Sequence, residues 1–241
     1  MTALSNNTLS ADLAEQLSQA IIRGELAQGS KLSEPELARQ YGVSRGPLRE
    51  AIIQLQSLGL VTRQANLGAR VITLTPQSAA ETFAVREALE GMAARLACSA
   101  ATDAELASLK RLIQKHAQEL ENAPSHSVDQ EGNYDFHLHI IRASHNRQLM
   151  TLLGEELYAR IRMFRQHTAD QRGDPWQALQ EHKMIVDALC HREADLAEML
   201  MRRHISRSRT LIESYLKAHP LHTPHAGRTA RRVQSAQGEQ P

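Results

Sequence analysis

Two arginines in the first 75 residues are spaced so that they could hydrogen-bond to base edges of DNA. Arg45 and Arg49 are four residues apart, which places both on one face of a helix. A guanidinium group can bind O6 and N7 of guanine through two parallel hydrogen bonds. Ser44 and the backbone N–H groups that follow it suit contacts with phosphate oxygens. These residue types, in this order, predict a helix that contacts DNA.

The residues around these arginines predict three helices. Apolar residues at helical spacing indicate a first helix that stops at Gly24. A second helix is expected to begin at Ser33, where Ser33 and Glu36 form a capping-box pattern, and a third is expected to begin at Ser44. Gly42 supplies the tight turn between the second and third helices. The apolar residues that define the first helix are Leu13, Leu17, Ile21 and Ile22.

A β-hairpin is predicted after the third helix, which completes a winged helix-turn-helix. The strands VTRQ and ARVIT flank a tip that contains Asn66 and Gly68. Arg63 and Arg70 lie on either side, so the hairpin could reach the minor groove or the DNA backbone. The predicted DNA contacts, including the helix starts, are Ser33, Ser44, Arg45, Pro47, Arg49, Arg63, Asn66, Gly68 and Arg70.

The rest of the chain predicts a bundle of helices. Helix-start patterns occur at Thr75-Pro76, Thr102–Glu105 and Asp174-Pro175. Short connections between long amphipathic helices favour an antiparallel bundle, so the fold class is mainly α. The predicted domains are residues 1–75, residues 76–218 and a disordered tail over residues 219–241. The six predicted helices lie near residues 76–99, 103–122, 128–145, 147–168, 174–190 and 193–217.

Composition excludes several classes of protein. Hydrophobic residues make up 41% of the 241 residues, which is enough for packed cores and excludes global disorder. Aromatic residues make up only 3%, and the Leu- and Ala-rich remainder favours helices. Two cysteines without metal-type spacing, no signal-peptide pattern and no membrane-length apolar run predict a cytoplasmic protein with reduced thiols.

Polar side chains at helical spacing in the second half could bind a divalent metal ion. Asn133 and His137 share one helix face, and Asp135 and His139 form a competing pair on another face. Three imidazoles and one oxygen donor suit Zn²⁺, Ni²⁺ or a similar ion. Because the chain has 12 histidines, chance pairs are common, and purely structural histidines are the alternative.

The stretch LSEPELARQYGVSRGPLREAIIQLQSLGLV resembles the DNA-binding domain of GntR-type transcription regulators. Residues 42–61 carry the pattern of the recognition helix and the start of the wing, and the resemblance covers roughly residues 12–73. One departure is Pro35, where some relatives carry a DNA-contacting arginine. The operator sequence therefore cannot be transferred from a relative.

The helical half resembles the FCD effector domain of the FadR-type branch of the same family. Three segments carry this resemblance: residues 86–90 (REALE), residues 133–146 (NYDFHLHIIRASHN) and residues 181–204, from Glu181-His182 to Met201 and His204. The resemblance favours Asn133 and His137 over Asp135 and His139. It implies a metal site made of Asn133, His137, His182 and His204.

The resemblance also implies a small carboxylate effector beside the metal. Arg86 could neutralise a carboxylate through a bidentate ion pair, and Arg160 and Arg165 are further candidates. The family usually has Asp where this chain has Asn133. A neutral amide oxygen predicts weaker metal affinity, or a site without metal.

These features together predict a homodimer that binds a pseudo-palindromic operator and responds to a ligand. Because release by an inducer is the more common mode in this family, we expect a repressor. A faint resemblance to regulators near propionate and 2-methylcitrate genes suggests a tricarboxylate such as 2-methylcitrate or 2-methylisocitrate. Two alternatives use the same histidines, namely a metal-dependent enzyme on the helical bundle and a regulator that senses the metal itself.

Overall fold

The computed structural model describes residues 3–64, 68–122, 130–168 and 173–219. Within these residues the chain is mainly helical with a single two-stranded hairpin, as predicted. The elements in chain order are α1 (Ala3–Ile22), α2 (Glu34–Gln40), α3 (Arg45–Ser57), β1 (Val61–Gln64), β2 (Gly68–Val71), α4 (Pro76–Ala100), α5 (Asp103–Asn122), α6 (Gln130–Ala143), α7 (Arg147–Leu149), a π-helix (Met150–Leu157), α8 (Tyr158–His167), α9 (Pro175–Cys190) and α10 (Ala194–Ala218).

The first three helices and the hairpin form the N-terminal head. Helix α1 packs against α3, and Leu17, Ile21, Leu48 and Leu55 are fully buried between them. After α2 the chain turns at Gly42, which adopts a left-handed φ of 65° that favours glycine. Strands β1 and β2 pair antiparallel to form the wing. The head therefore has the predicted winged helix-turn-helix layout.

The helical domain is built around its two longest helices, α4 and α10, which pack extensively against each other. Helix α9 packs against α5 and α10, and α6 packs against α4 and α5. The observed bounds agree with the six predicted helices to within a few residues. Helix α8 also contacts α1, so the helical domain touches the head directly. None of the described helices combines the length and the apolar run that a membrane crossing needs.

Three helix starts in the helical domain are capped by the side chains that the sequence indicated. The Thr75 side chain and Ser78 form a capping box at α4, and Thr102 does the same with Glu105 at α5. Asp174 accepts a hydrogen bond from the backbone of Trp176 at α9. These bonds satisfy backbone N–H groups that would otherwise lack partners at the helix ends.

The predicted capping at Ser33 and Ser44 is wrong in one respect. Both residues occupy the N-cap positions of α2 and α3, but neither side chain makes a cap hydrogen bond. Pro35 and Pro47 stand two and three residues after the caps, and each removes one of the two N–H groups to which an N-cap side chain can bind. Since the Ser44 side chain is exposed, its hydroxyl faces solvent.

Candidate functional site

Three buried histidines from three different helices meet inside the helical domain. His137 comes from α6, His182 from α9 and His204 from α10, and each is at most 5% exposed. One ring nitrogen of each lies within 4.8 Å of those of the other two. Nε2 of His182 and Nε2 of His204 are 3.2 Å apart. Thus the structure brings together all three predicted histidines.

His137 is held by a buried ion pair on α4. Its Nδ1 lies 2.6 Å from Oε2 of Glu90, and Oε1 of Glu90 accepts a 2.5 Å bond from Nε of Arg86. Burial lowers the pKa of His137 to about 3, so the ring is neutral at neutral pH. Burial alone would raise the pKa of Glu90, but the charge of Arg86 and the bond to His137 lower it to about 2. His137 therefore donates Nδ1–H to an ionised carboxylate, which leaves the lone pair of Nε2 directed elsewhere.

His204 is held in the same way, by a carboxylate that is paired with an arginine. Its Nδ1 lies 2.7 Å from Oε2 of Glu181, whose other oxygen lies 2.7 Å from Nε of Arg207. Burial lowers the pKa of His204, so this ring is also neutral and donates Nδ1–H to the carboxylate. The hydrogen bonds from His204 and Arg207 outweigh burial and lower the pKa of Glu181. Two histidines of the triad are therefore each held by an Arg–Glu pair. We call Arg86–Glu90–His137 the first arm and Arg207–Glu181–His204 the second arm.

His182 is oriented by packing against an aromatic ring. Its ring stacks on Phe136, with 3.9 Å between ring centroids and 20° between planes. Burial and the neighbouring imidazoles lower the pKa of His182 well below its usual value, so the ring is neutral. Because His204 presents an acceptor at Nε2, the Nε2–Nε2 distance to His182 fits a hydrogen bond when no ion lies between them.

The donor set fits a divalent metal ion. Nitrogen ligands at about 2.0–2.1 Å from one tetrahedral ion lie about 3.3 Å apart, close to the observed 3.2 Å between His182 and His204. Ligating histidines usually donate their second N–H to a carboxylate, as His137 and His204 do here. Neutral imidazoles need no proton release before they bind an ion. These three residues could therefore hold a metal.

The structure describes the backbone of the fourth predicted metal ligand, Asn133, but not its side chain. Asn133 is in α6, one turn before His137, but its side chain lies outside the described part of the chain, as does that of Asp135. His139 is half-buried on α6 and is not a member of the histidine group. The backbone position of Asn133 agrees with the prediction that it follows the face of His137.

The three predicted effector-binding arginines lie in different places. Arg86 is buried, paired with Glu90, and its guanidinium carbon lies 5.4 Å from the centroid of the Phe83 ring. The half-buried Arg165 is close enough to His182 to contribute to lowering its pKa. Arg160 extends to the head, where a Cβ built on Gly59 would lie 2.8 Å from its guanidinium carbon. We therefore assign Arg160 to the contact between the domains.

The predicted DNA-contacting helix presents its arginines to solvent. Arg45 and Arg49 are exposed on the first two turns of α3, and Ser44 is exposed at the N-cap position before it. Nε of Arg49 donates a 2.8 Å hydrogen bond to Oε2 of Glu34, the first residue of α2. Pro47 is buried, which argues against contact of its ring with DNA.

The wing offers fewer exposed groups than the sequence indicated. Arg63 is exposed on β1, but Arg70 is half-buried and donates a 3.0 Å hydrogen bond to the carbonyl of Gly29. Gly68 opens β2 with a φ of 78°. Asn66 lies outside the described residues. Arg70 therefore fastens the wing to the loop before α2.

The sequence did not identify four charged residues that pair with the predicted site residues or with their partners. They are Glu34, Glu90, Glu181 and Arg207. Glu90 and Glu181 stand inside the segments quoted above, as the last residue of REALE and the residue before His182. Arg86 and Glu90 are four apart, a spacing that indicates an ion pair on one helix face. Glu34 and Arg207 carried no such pattern, because their partners come from other helices.

Two family profiles match this chain. The profile "Bacterial regulatory proteins, gntR family" matches residues 9–71, and the FCD domain profile matches residues 81–207. The matched ranges contain the winged head and the three histidines respectively.

Several curated relatives are transcription regulators. The chain is 30% identical to the "Probable D-xylose utilization operon transcriptional repressor" of Paenarthrobacter nicotinovorans, over 84% of this chain and 88% of that protein. It is 28% identical to the "Glc operon transcriptional activator" of Escherichia coli K12, over 80% of this chain and 84% of that protein.

Solved structures share the fold. E. coli McbR/YncC superposes with a TM-score of 0.69 at 22% identity, covering 86% of this chain and 98% of that one. A GntR family member from Pseudomonas syringae pv. tomato DC3000 gives a TM-score of 0.52 at 26% identity, covering 89% and 88%.

Proposed function

The chain belongs to the GntR family of bacterial regulatory proteins and carries an FCD domain, and from this we propose that it is a repressor released from its operator when a small organic acid binds at a metal ion. It is a DNA-binding transcription regulator and not an enzyme. Regulators of this family bind operators and are typically dimers. The buried histidine triad with its two Arg–Glu arms is the observation that carries the proposed effector site.

The charges around the triad favour an anionic effector. Arg86 and Glu90 cancel each other, and so do Arg207 and Glu181. A divalent ion held by three neutral imidazoles would therefore bring two positive charges into a buried site without compensation. Uncompensated buried charge is costly, and a carboxylate ligand on the ion would neutralise it. This supports an organic acid that binds through the metal.

The ligand set in this proposal is His137, His182, His204 and Asn133. Zn²⁺ and Ni²⁺ are the ions that suit imidazole nitrogens with a further oxygen donor. The bound ion would supply a positive centre to which a carboxylate can attach, and the protein would supply its orientation. Arg165 is the arginine that we propose for a second carboxylate, because it stands near His182.

For the effector, tricarboxylates such as 2-methylcitrate and 2-methylisocitrate are the first acids to test, on the resemblance stated above. Repression is proposed because release by an inducer is the more common mode in this family. The named relatives include both a repressor and an activator.

A physical connection runs from the triad to the head. Arg86 of the first arm lies over Phe83, and Phe83 packs edge-on against Phe164 of α8 at 5.9 Å. From α8, Arg160 contacts Gly59 directly after α3, and Nη2 of Arg162 donates to Gln19 of α1 at 3.3 Å. We propose that effector binding shifts α8 and so reorients the head. DNA affinity changes only as far as the effector distinguishes the two arrangements.

The proposed division of labour follows the predicted boundaries. In this proposal, residues 1–75 contact DNA and residues 76–218 bind the effector and the second subunit. The predicted disordered tail begins at residue 219, and residues 220–241 lie outside the described part of the chain. In the head, Arg45 and Arg49 contact bases, and Ser44 and Arg63 contact the backbone. Two heads of a dimer would bind the two halves of a pseudo-palindrome.

Thermal unfolding of the full chain tests the effector site. A ligand that binds only the folded state raises the unfolding midpoint by mass action. Chelator-treated protein is reloaded with Zn²⁺ or Ni²⁺ and measured with a panel of mono-, di- and tricarboxylates. We expect one acid to raise the midpoint only in metal-loaded protein and to release DNA.

Two variants make this test specific. His137→Gln should abolish both the metal response and the acid response, whereas His139→Gln, two residues further along the same helix, should keep them. If no acid acts and metal alone releases DNA, the metal-sensing alternative is favoured. If neither metal nor acid shifts the midpoint, the triad is structural and the proposal fails.

A further inference from the structure

We infer that Glu34 is a positioning residue that fixes the guanidinium of Arg49 for contact with a base. This inference rests on the proposed contact of Arg49 with DNA. Glu34 is the first residue of α2, and its Oε2 accepts a 2.8 Å hydrogen bond from Nε of Arg49 on α3. The bond therefore joins the two helices of the helix-turn-helix at its solvent face.

The burial of the two partners suits this role. The Glu34 side chain is 27% exposed, whereas the Arg49 side chain is 60% exposed. Arg49 follows Leu48, which is fully buried, so the backbone that carries it is fixed in the head core. The carboxylate of Glu34 is thus the less exposed partner of the pair, and the guanidinium of Arg49 extends further into solvent. A bond at Nε leaves the two terminal amino groups, Nη1 and Nη2, extending beyond the carboxylate.

The terminal amino groups are those that can bind O6 and N7 of guanine side by side. A long arginine side chain loses rotamer freedom when it is ordered at an interface, and a bond made before binding reduces that loss. A carboxylate near DNA phosphates is repulsive toward every sequence. Glu34 therefore lowers general DNA affinity and raises discrimination at the base that Arg49 contacts.

The test compares variants of the full chain on DNA selected from a randomised duplex pool. Preferred sequences are determined for each variant, and affinities are then measured on the selected duplex, on duplexes changed one base pair at a time and on a scrambled duplex. Glu34→Ala should reduce preference at one guanine position by about 3- to 10-fold, while affinity for the scrambled duplex stays equal or rises. Glu34→Gln keeps an acceptor oxygen and should retain most of the preference.

Glu36→Ala is the matched control, because it removes the same charge from the same first turn of α2 at an exposed position. It should leave the base preference unchanged. A structural role for Glu34 would instead lower the unfolding midpoint and weaken binding to all duplexes alike, which would overturn the inference.

The double variant Glu34→Ala/Arg49→Ala separates this inference from its premise. If Glu34 acts through Arg49, the effect of Glu34→Ala on base preference disappears when Arg49 is already alanine. Persistence of that effect would mean that Glu34 contacts a base itself, and the positioning role would be wrong. If Arg49→Ala leaves every preference unchanged, the proposed base contact of Arg49 fails, and the role of Glu34 fails with it.

Discussion

At the scale of single residues, the two carboxylates behind the histidines set how well the triad can bind an ion. Glu90 and Glu181 each accept a hydrogen bond from the Nδ1–H of a histidine, and the charge of each is neutralised by an arginine. This arrangement fixes the tautomer of the ring and makes its Nε2 more basic. The carboxylates are therefore part of the site, because each hydrogen-bonds one histidine of the triad.

The carboxylate on His204 gives a direct test of this role. Because partners in the outer shell typically change metal affinity by 10- to 100-fold, Glu181→Gln should weaken Zn²⁺ binding by about that factor. The measurement is competition with a chromophoric chelator. Glu198→Gln is the control, since Glu198 is similarly buried and also paired with an arginine but lies outside the triad. Equal zinc affinities in the two variants would contradict the role.

The histidines could be predicted from the sequence, but their partners could not. The family resemblance placed His137, His182 and His204 in one site, and the structure confirms that they meet. A sequence gives the face of a helix on which a side chain lies but not the helix it will touch. Glu181 and Arg207 are on different helices, and Arg160 extends to the head instead of the effector site.

At the scale of elements, helix starts are the features that the sequence specifies most directly. The capping box at α5 uses residues three apart, so it forms without help from distant parts of the chain. The starts of α2 and α3 show the limit of such patterns, because neither serine makes a cap hydrogen bond and a proline within the first turn removes one of the two N–H groups that each serine could bind.

Loss of the α5 cap should be measurable as stability. Thr102→Ala should lower the free energy of unfolding by about 1 kcal/mol, the usual value for an N-cap threonine. Denaturant unfolding of metal-free protein is the measurement. Thr210→Ala is the control, because Thr210 is exposed in the middle of α10 and should change stability by less than about 0.5 kcal/mol. A smaller loss in Thr102→Ala than in the control would argue against the box.

Helix α8 is the element that we expect to carry the effector response to the head. Arg160→Ala removes its contact with Gly59 without touching the triad. We expect unchanged zinc affinity but a smaller difference in DNA affinity between zinc-loaded protein with and without its acid effector, by about 3- to 10-fold. Fluorescence anisotropy on a selected duplex measures both states. Arg142→Ala, exposed on α6, should keep the full difference.

At the scale of the whole molecule, charge placement matters more than total charge. The formal net charge is only +1, yet Arg45, Arg49 and Arg63 are exposed on the head. Composition predicted a mainly helical protein, and the motifs predicted its head. The observed elements confirm this fold class. The path between effector site and head could not be predicted, because it depends on how two separately recognisable parts pack.

A backbone contact should affect binding to all sequences alike. If Arg63 neutralises one phosphate, Arg63→Ala should weaken binding to selected and scrambled duplexes by similar factors and reduce the slope of log K against log salt by about one. Titrations at several salt concentrations measure this. Arg49→Ala should differ by lowering the preference for the selected duplex. A sequence-dependent effect of Arg63→Ala would instead mean that the wing contacts bases.

The π-helix between α7 and α8 has a consequence for insertions and deletions. Its eight residues are wound more widely than an α-helix, so the segment Met150–Leu157 accommodates an extra residue within a continuous rod. Deleting Gly154 would let the rod close into regular α-helix, and the loss of the wide turns would offset most of the rotation of about 100° that removing one residue from an α-helix causes. Arg160 and Arg162 would then stay at the head. We expect this deletion variant to fold, to bind zinc and to keep its release from DNA by the acid effector; loss of that release would show that the wide turns themselves are needed for the response.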